Sequence, residues 1–108
     1  ALPNIGSVDS RAYGANWVAL DAPRHLFHFR PQDVRRFAVA RGLTPAGGGV
    51  LPLDTPYNVL LSEQLAGQVV RGTRLFGLFR AIRVALAASI RGAIDRSRSS
   101  SPVYVFRS

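Results

Sequence analysis

The chain contains no cysteine, no methionine and no lysine, and only 6 acidic residues stand against 14 basic ones, all of them arginine. Without cysteine there is no disulfide framework, no thiolate nucleophile and no zinc site that needs sulfur, so His25 and His28 are the only imidazole ligands in the sequence. Without lysine there is no Schiff-base chemistry and no phosphate loop of the G-x-x-x-x-G-K-[ST] kind. No apolar run reaches the ~20 residues of a membrane span, because Arg80, Arg83 and Arg91 interrupt the longest candidate. The start, whose first basic residue is Arg11, does not read as a secretory signal. By elimination the chain is expected in the cytoplasm.

What is present is a sequence of 108 residues, 47% hydrophobic, with a formal net charge of +8. That is the composition of one domain, or part of one, that buries a core. Pro3, Asn4 and Gly6 make turn chemistry, as if a strand had just finished. Ser7 can cap a short helix through about Tyr13, stopped by Gly14. Residues 15–24 show no sustained period and read as an ordered loop. His25 to Phe29 places large side chains on alternate positions, the pattern of a short extended piece. Pro31 suits the first turn of a helix that runs to Arg41 and ends at Gly42, with Asp33 near its positive end.

Leu43 to Leu53 is a weak, irregular strand, since Val50 and Leu51 share it with Pro45, Gly47, Gly48, Gly49 and Pro52. A helix follows from Thr55 to about Val70, separated by Gly72 from a longer one, Arg74 to about Arg96. In the longer helix Leu75, Phe79, Ile82, Leu86, Ile90 and Ala93 fall within roughly 80° of one another, with Arg80, Arg91 and Arg98 on the far side. Ser97 to Ser101 reads as a polar connector, and Pro102 to Arg107 as a final strand rich in β-branched and aromatic residues.

The run Leu2-Pro3-Asn4-x-Gly6-Ser7, then Arg11, Gly14, Trp17, Leu20-Asp21-x-Pro23-Arg24-His25-Leu26, Phe29-x-Pro31 and Arg41-Gly42, has a recognisable spacing. It resembles the carboxyl-terminal half of class I S-adenosylmethionine-dependent methyltransferases, in particular a broad bacterial group acting on small molecules. The likeness covers about residues 1 to 43 and returns at the last strand; between them it is one of general layout. Two departures stand out. Arg30 replaces the Ser or Thr that caps the family's helix, and Gly47-Gly48-Gly49 interrupts what is a regular strand in the family.

The resemblance implies an α/β fold: the C-terminal part of a doubly wound, Rossmann-like sheet of seven strands, lacking the N-terminal half that binds the cofactor. Pro3-Asn4 would follow the fifth strand and Leu43 to Leu51 would be the sixth. Val103 to Phe106 would be the seventh, antiparallel to it, with residues about 55–96 as a helical insertion and about 102–107 as the final strand. The cofactor, S-adenosyl-L-methionine, needs a glycine-rich turn between a first strand and its helix, and an acidic residue for the ribose. Neither is found, because no strand precedes Gly47-Gly48-Gly49 and no helix opens on it. The expectation is an acceptor-side fragment of a longer enzyme, inactive alone, whose exposed sheet edge makes it poorly soluble or oligomeric.

Methyl transfer from a sulfonium is an in-line displacement, so the protein mostly positions the acceptor and sometimes supplies a base for its proton. His25 is the candidate base, with Asn4, Trp17, Asp21, Arg24 and His28 as candidate acceptor-binding residues. Each has a plainer role beside it. Asp21, Arg24 and His25 can form a hydrogen-bonded corner that fixes the loop, with Pro23 stiffening it. Trp17 can anchor the loop, and Asn4 can serve the turn. No metal is expected: two histidines and Asp21 make a weak ligand set, and methyl transfer needs none.

The helix from Arg74 to Arg98 suggests a different class of function. An apolar face opposite arginines suits a module that binds anionic membrane or nucleic acid. The plainer reading is a helix that covers the sheet or lids the pocket, with its arginines solvated. No stacking aromatics or recognisable docking helix accompany the charge, so nucleic acid is not an expected partner, whereas peripheral membrane contact is compatible with the pattern.

Overall fold

The computed structural model describes residues 1–21, 24–69 and 74–108. Pro23 and Gly72, expected to stiffen the loop and to separate the two long helices, lie outside the described residues. In chain order come α1 (Val8–Tyr13), 3-10 turns at Gly14–Asn16 and Val18–Leu20, α2 (Pro31–Ala40) and β1 (Thr44–Val50). Then follow α3 (Asp54–Val69), α4 (Arg74–Ile94), a 3-10 turn at Arg96–Arg98 and β2 (Pro102–Arg107). The architecture is mixed α/β, helix-rich, with one two-stranded antiparallel sheet.

Local chemistry sets the helix ends. The Ser7 hydroxyl accepts from the Ser10 N–H at 3.2 Å, and Gly14 leaves α1 at φ 54°. In α2 Pro31 takes the first position, and the Arg30 side chain gives no cap, because a guanidinium carries no acceptor. The Asp33 carboxylate reaches back instead, accepting the Arg30 N–H at 3.0 Å. Gly42, at φ 78°, closes that helix.

β1 pairs antiparallel with β2 from Thr44 opposite Arg107 to Val50 opposite Pro102, with a register shift between Pro45 and Gly47. The expected irregularity is thus a bulge, where Gly47 adopts φ 147°. Gly48 has a second reason to be glycine, because a Cβ there would run into the Val103 carbonyl oxygen of β2. Of the expected C-terminal part of a seven-stranded sheet, the described residues show the antiparallel pair of the last two strands and no further strand beside it. His25 to Phe29 makes only a single parallel bridge, Asn4 with Phe29, in place of a strand. Among the described residues two extended runs sustain a ladder, and they form a ribbon with helices packed beside it.

The long helix turns its large apolar face outward, against the plainer of its two readings. The large apolar face was expected to cover the sheet or a pocket, yet Leu75 and Phe79 are 75% and 69% exposed, and Ile82, Leu86, Ile90 and Ala93 are exposed too. The buried stripe of α4 consists of Ala81, Ala88 and Gly92, with Val84 and Ala85 half-buried beside it. These small side chains let α4 lie close against α1, α3 and the Arg96–Arg98 turn. Ala81 joins Tyr13, Trp17 and Val59 in the core cluster. The molecule is flat, 51 × 30 × 16 Å in its principal extents.

The serine run is also placed differently. Ser99, Ser100 and Ser101, expected in a polar connector, are buried. Asn4 explains this: its Nδ2 donates to the carbonyls of Ser97 (2.7 Å) and Ser99 (2.9 Å), and its backbone N–H donates to that of Ser100 (2.8 Å). A polar segment can enter a core when its backbone groups are paired there.

Candidate functional site

A cleft of about 420 Å³ opens between the corner that follows Val18–Leu20 and the start of α3. Asp21, Arg24 and His25 line one wall, and Asp54, Tyr57 and Asn58 of α3 line the other. Pro3 and Ser101 contribute from the two chain segments that Asn4 ties together.

The corner is built on the backbone. Asp21 sits at φ 38°, a left-handed conformation uncommon outside glycine, after the last 3-10 residue. Its carbonyl oxygen accepts from the N–H groups of Arg24 (2.7 Å) and His25 (3.2 Å). The Arg24 guanidinium lies 3.7 Å from the Asp21 carboxylate in an exposed pair. An exposed pair of this kind adds little stability, so the two carbonyl contacts are the stronger hold. His25 is exposed at the cleft, open to a ligand.

Three of the six sequence-derived residues, Asp21, Arg24 and His25, therefore share one cleft. The other three do not line it. The His28 Nε2 donates to the Leu20 carbonyl at 3.0 Å, which spends that nitrogen on holding the corner. Asn4 is buried: both amide hydrogens go to carbonyls, and its Oδ1 accepts the Gly6 N–H at 2.9 Å. Trp17 is 1% exposed, and its indole donates to Asp9 Oδ2 at 2.8 Å.

Asp54, Tyr57, Asn58 and Ser101 were not anticipated in the cleft. No local pattern marks them, because α3 and the segment before β2 reach the corner only through tertiary packing. Asp9 was missed as well. It accepts from Trp17 and, at 2.7 Å, from the Ser100 hydroxyl, while Thr55 lies 3.0 Å from Ser100 Oγ. With the Ser100 proton committed to Asp9, the Thr55 hydroxyl is the donor in that second contact.

Next to this network the Tyr13 ring carries the Arg80 guanidinium at 4.8 Å, and Arg80 Nε lies 3.3 Å from Glu63 Oε2. Burial pushes the Tyr13 phenol up to about 12, and the nearby Glu63 carboxylate adds to the rise. Burial raises Tyr104 in the same way, to about 12.

The described residues do not by themselves fit S-adenosyl-L-methionine. Its one glycine run lies inside β1, where Gly48 is required by the approach of β2, so it forms no turn at a helix N-terminus. Among the described residues no group of three or more His, Asp or Glu side chains is placed to hold a metal ion. No described helix is long and apolar enough to cross a membrane. No protein family, curated protein or solved structure matches the chain.

Proposed function

We propose that the chain is the acceptor-binding part of an S-adenosylmethionine-dependent methyltransferase, acting on a small-molecule or a lipid- or sugar-linked acceptor, with the cofactor held by residues outside this sequence. The observation that carries the reading is the cleft in which Asp21, Arg24 and His25, all from the L-D-x-P-R-H-L run, face α3. The antiparallel pairing of β1 with β2, which the resemblance implies for the last two strands, supports it further. In this reading the exposed His25 imidazole takes the acceptor's proton, while Arg24 and Asp21 orient its polar groups.

Calorimetric titration with S-adenosylmethionine tests the reading on this chain and on a longer form carrying an upstream strand and glycine-rich turn. Binding by the longer form alone is expected, with His25→Ala lowering turnover about 100-fold while cofactor affinity holds. Absence of binding by both forms removes the methyltransferase function.

The outward apolar face of α4 favours a second reading, peripheral attachment to an anionic bilayer. Leu75, Phe79, Ile82, Leu86 and Ile90 are exposed on a helix whose sequence holds four arginines and no carboxylate. The chain should co-sediment with phosphatidylserine vesicles and not with phosphatidylcholine ones, and Phe79→Gln with Leu86→Gln should release it. Retention by nucleic acid that those substitutions leave intact would assign the charge to that partner instead.

A further inference from the structure

We propose that a second cleft, lined by Arg11, Arg91 and Arg98, binds the phosphate group of a small phosphorylated molecule. The cleft measures about 290 Å³ and lies apart from the one around His25. Its three arginines come from three elements: Arg11 from α1, Arg91 from the last turn of α4 and Arg98 from the 3-10 turn before β2. The last two elements approach closely at Gly92, where a Cβ would come within 3.3 Å of Ser99.

The charge balance points to an anion. Among the described residues no carboxylate lines the cleft, and neither Arg11 nor Arg91 is ion-paired. Asp95 engages Arg98 through its Nε at 3.3 Å. Three guanidinium groups around one concavity repel one another, and an anion between them turns that repulsion into attraction. The planar guanidinium fork matches phosphate oxygens two at a time, and three such groups offset the charge of a phosphate monoester, about −1.5 to −2 at neutral pH.

Two features favour a soluble phosphate. Arg91 lies about 140° around α4 from the centre of the stripe formed by Leu75, Phe79, Ile82, Leu86 and Ile90 at 100° per residue, so the cleft opens away from that stripe, and of the exposed apolar side chains only Phe76 and Ile94 lie nearer to it. The remaining lining, Gly6, Ser7, Val8 and Ala12, supplies no aromatic ring on which a base could stack. The inference is independent of the methyl-transfer reading, and no cofactor enters its test.

The test titrates the chain with inorganic phosphate and then with glycerol 3-phosphate, following the arginine Nε–H signals by NMR. A parallel arm sediments the chain with phosphatidic acid vesicles. Saturable shifts at Arg11, Arg91 and Arg98 are expected. Arg91→Gln and Arg11→Gln should each weaken binding about tenfold, the value of one charge-assisted contact. Arg91→Lys, which keeps the charge and removes the fork, should fall between wild type and Arg91→Gln. Arg36→Gln on α2 should change affinity by less than about twofold. Shifts that never saturate, or equal losses from Arg36→Gln, would replace the site with a diffuse positive field and overturn the proposal. Capture by vesicles or by an oligonucleotide without response to the soluble phosphates would overturn it as well.

Discussion

The Trp17 indole donates its hydrogen bond to Asp9 at 2.8 Å, and the same carboxylate oxygen receives the Ser100 hydroxyl from a position 91 residues along the chain. One buried carboxylate thus joins α1, the loop after it and the segment that leads into β2. Asp9 Oδ1 has no partner among the described residues, so the group depends on the contacts its other oxygen makes.

Removing either end of that contact should be costly. Trp17→Phe deletes one donor to a buried charge and should lower stability by about 2 kcal/mol. Asp9→Ala, which orphans both the indole and the Ser100 hydroxyl, should cost about 3 kcal/mol or more. Urea denaturation of the two variants checks the order, and an Asp9→Ala no worse than Trp17→Phe would show the network to be unimportant.

The Tyr13 phenol predicts a loss of stability at high pH. Its folded value of about 12 lies above the ordinary 10.0, so the folded state disfavours the phenolate. The contribution is fully present below pH ~10 and disappears as pH rises through ~12, amounting to about 2 kcal/mol, with Tyr104 acting in the same direction. Tyr13→Phe should flatten the decline between those limits. At neutral pH it should be neutral or stabilising by up to about 1 kcal/mol, because the buried hydroxyl has no hydrogen-bond partner among the described residues.

The orientation of α4 can be tested by two substitutions on opposite sides. Ala81→Leu would force a large side chain between α4 and its neighbours and should cost about 1–3 kcal/mol. Leu86→Ala, at an exposed position, should change stability by less than about 0.5 kcal/mol and reduce self-association in light scattering. Were the large face packed inward, the two results would exchange.

Gly48 and Gly49 are adjacent and should differ sharply. Gly48→Ala brings a methyl into the Val103 carbonyl and should cost about 2 kcal/mol, whereas nothing lies near a Cβ at Gly49. Gly49→Ala should therefore be neutral within about 0.5 kcal/mol. Hydrogen exchange of the β2 amides would locate the Gly48→Ala effect in the ribbon.

Helix ends and turns were legible in the sequence because they depend on the few residues at hand. Ser7 with Gly14, and Pro31 with Gly42, bound α1 and α2 through hydrogen bonds and dihedral angles that need no distant partner. The corner residues Asp21, Arg24 and His25 are close in sequence and share a wall of one cleft for the same local reason. Tertiary structure alone decided the rest. Periodicity located an apolar face on α4 but could not say what packs against the helix. The close approach of α1 and α3 selected the opposite, small-residue stripe. Ser99 to Ser101 looked like a solvated connector because polarity predicts exposure only while no partner is at hand. Asn4 and Asp9, more than 85 residues away, supply those partners, and pairing across such separations is a property of the folded chain.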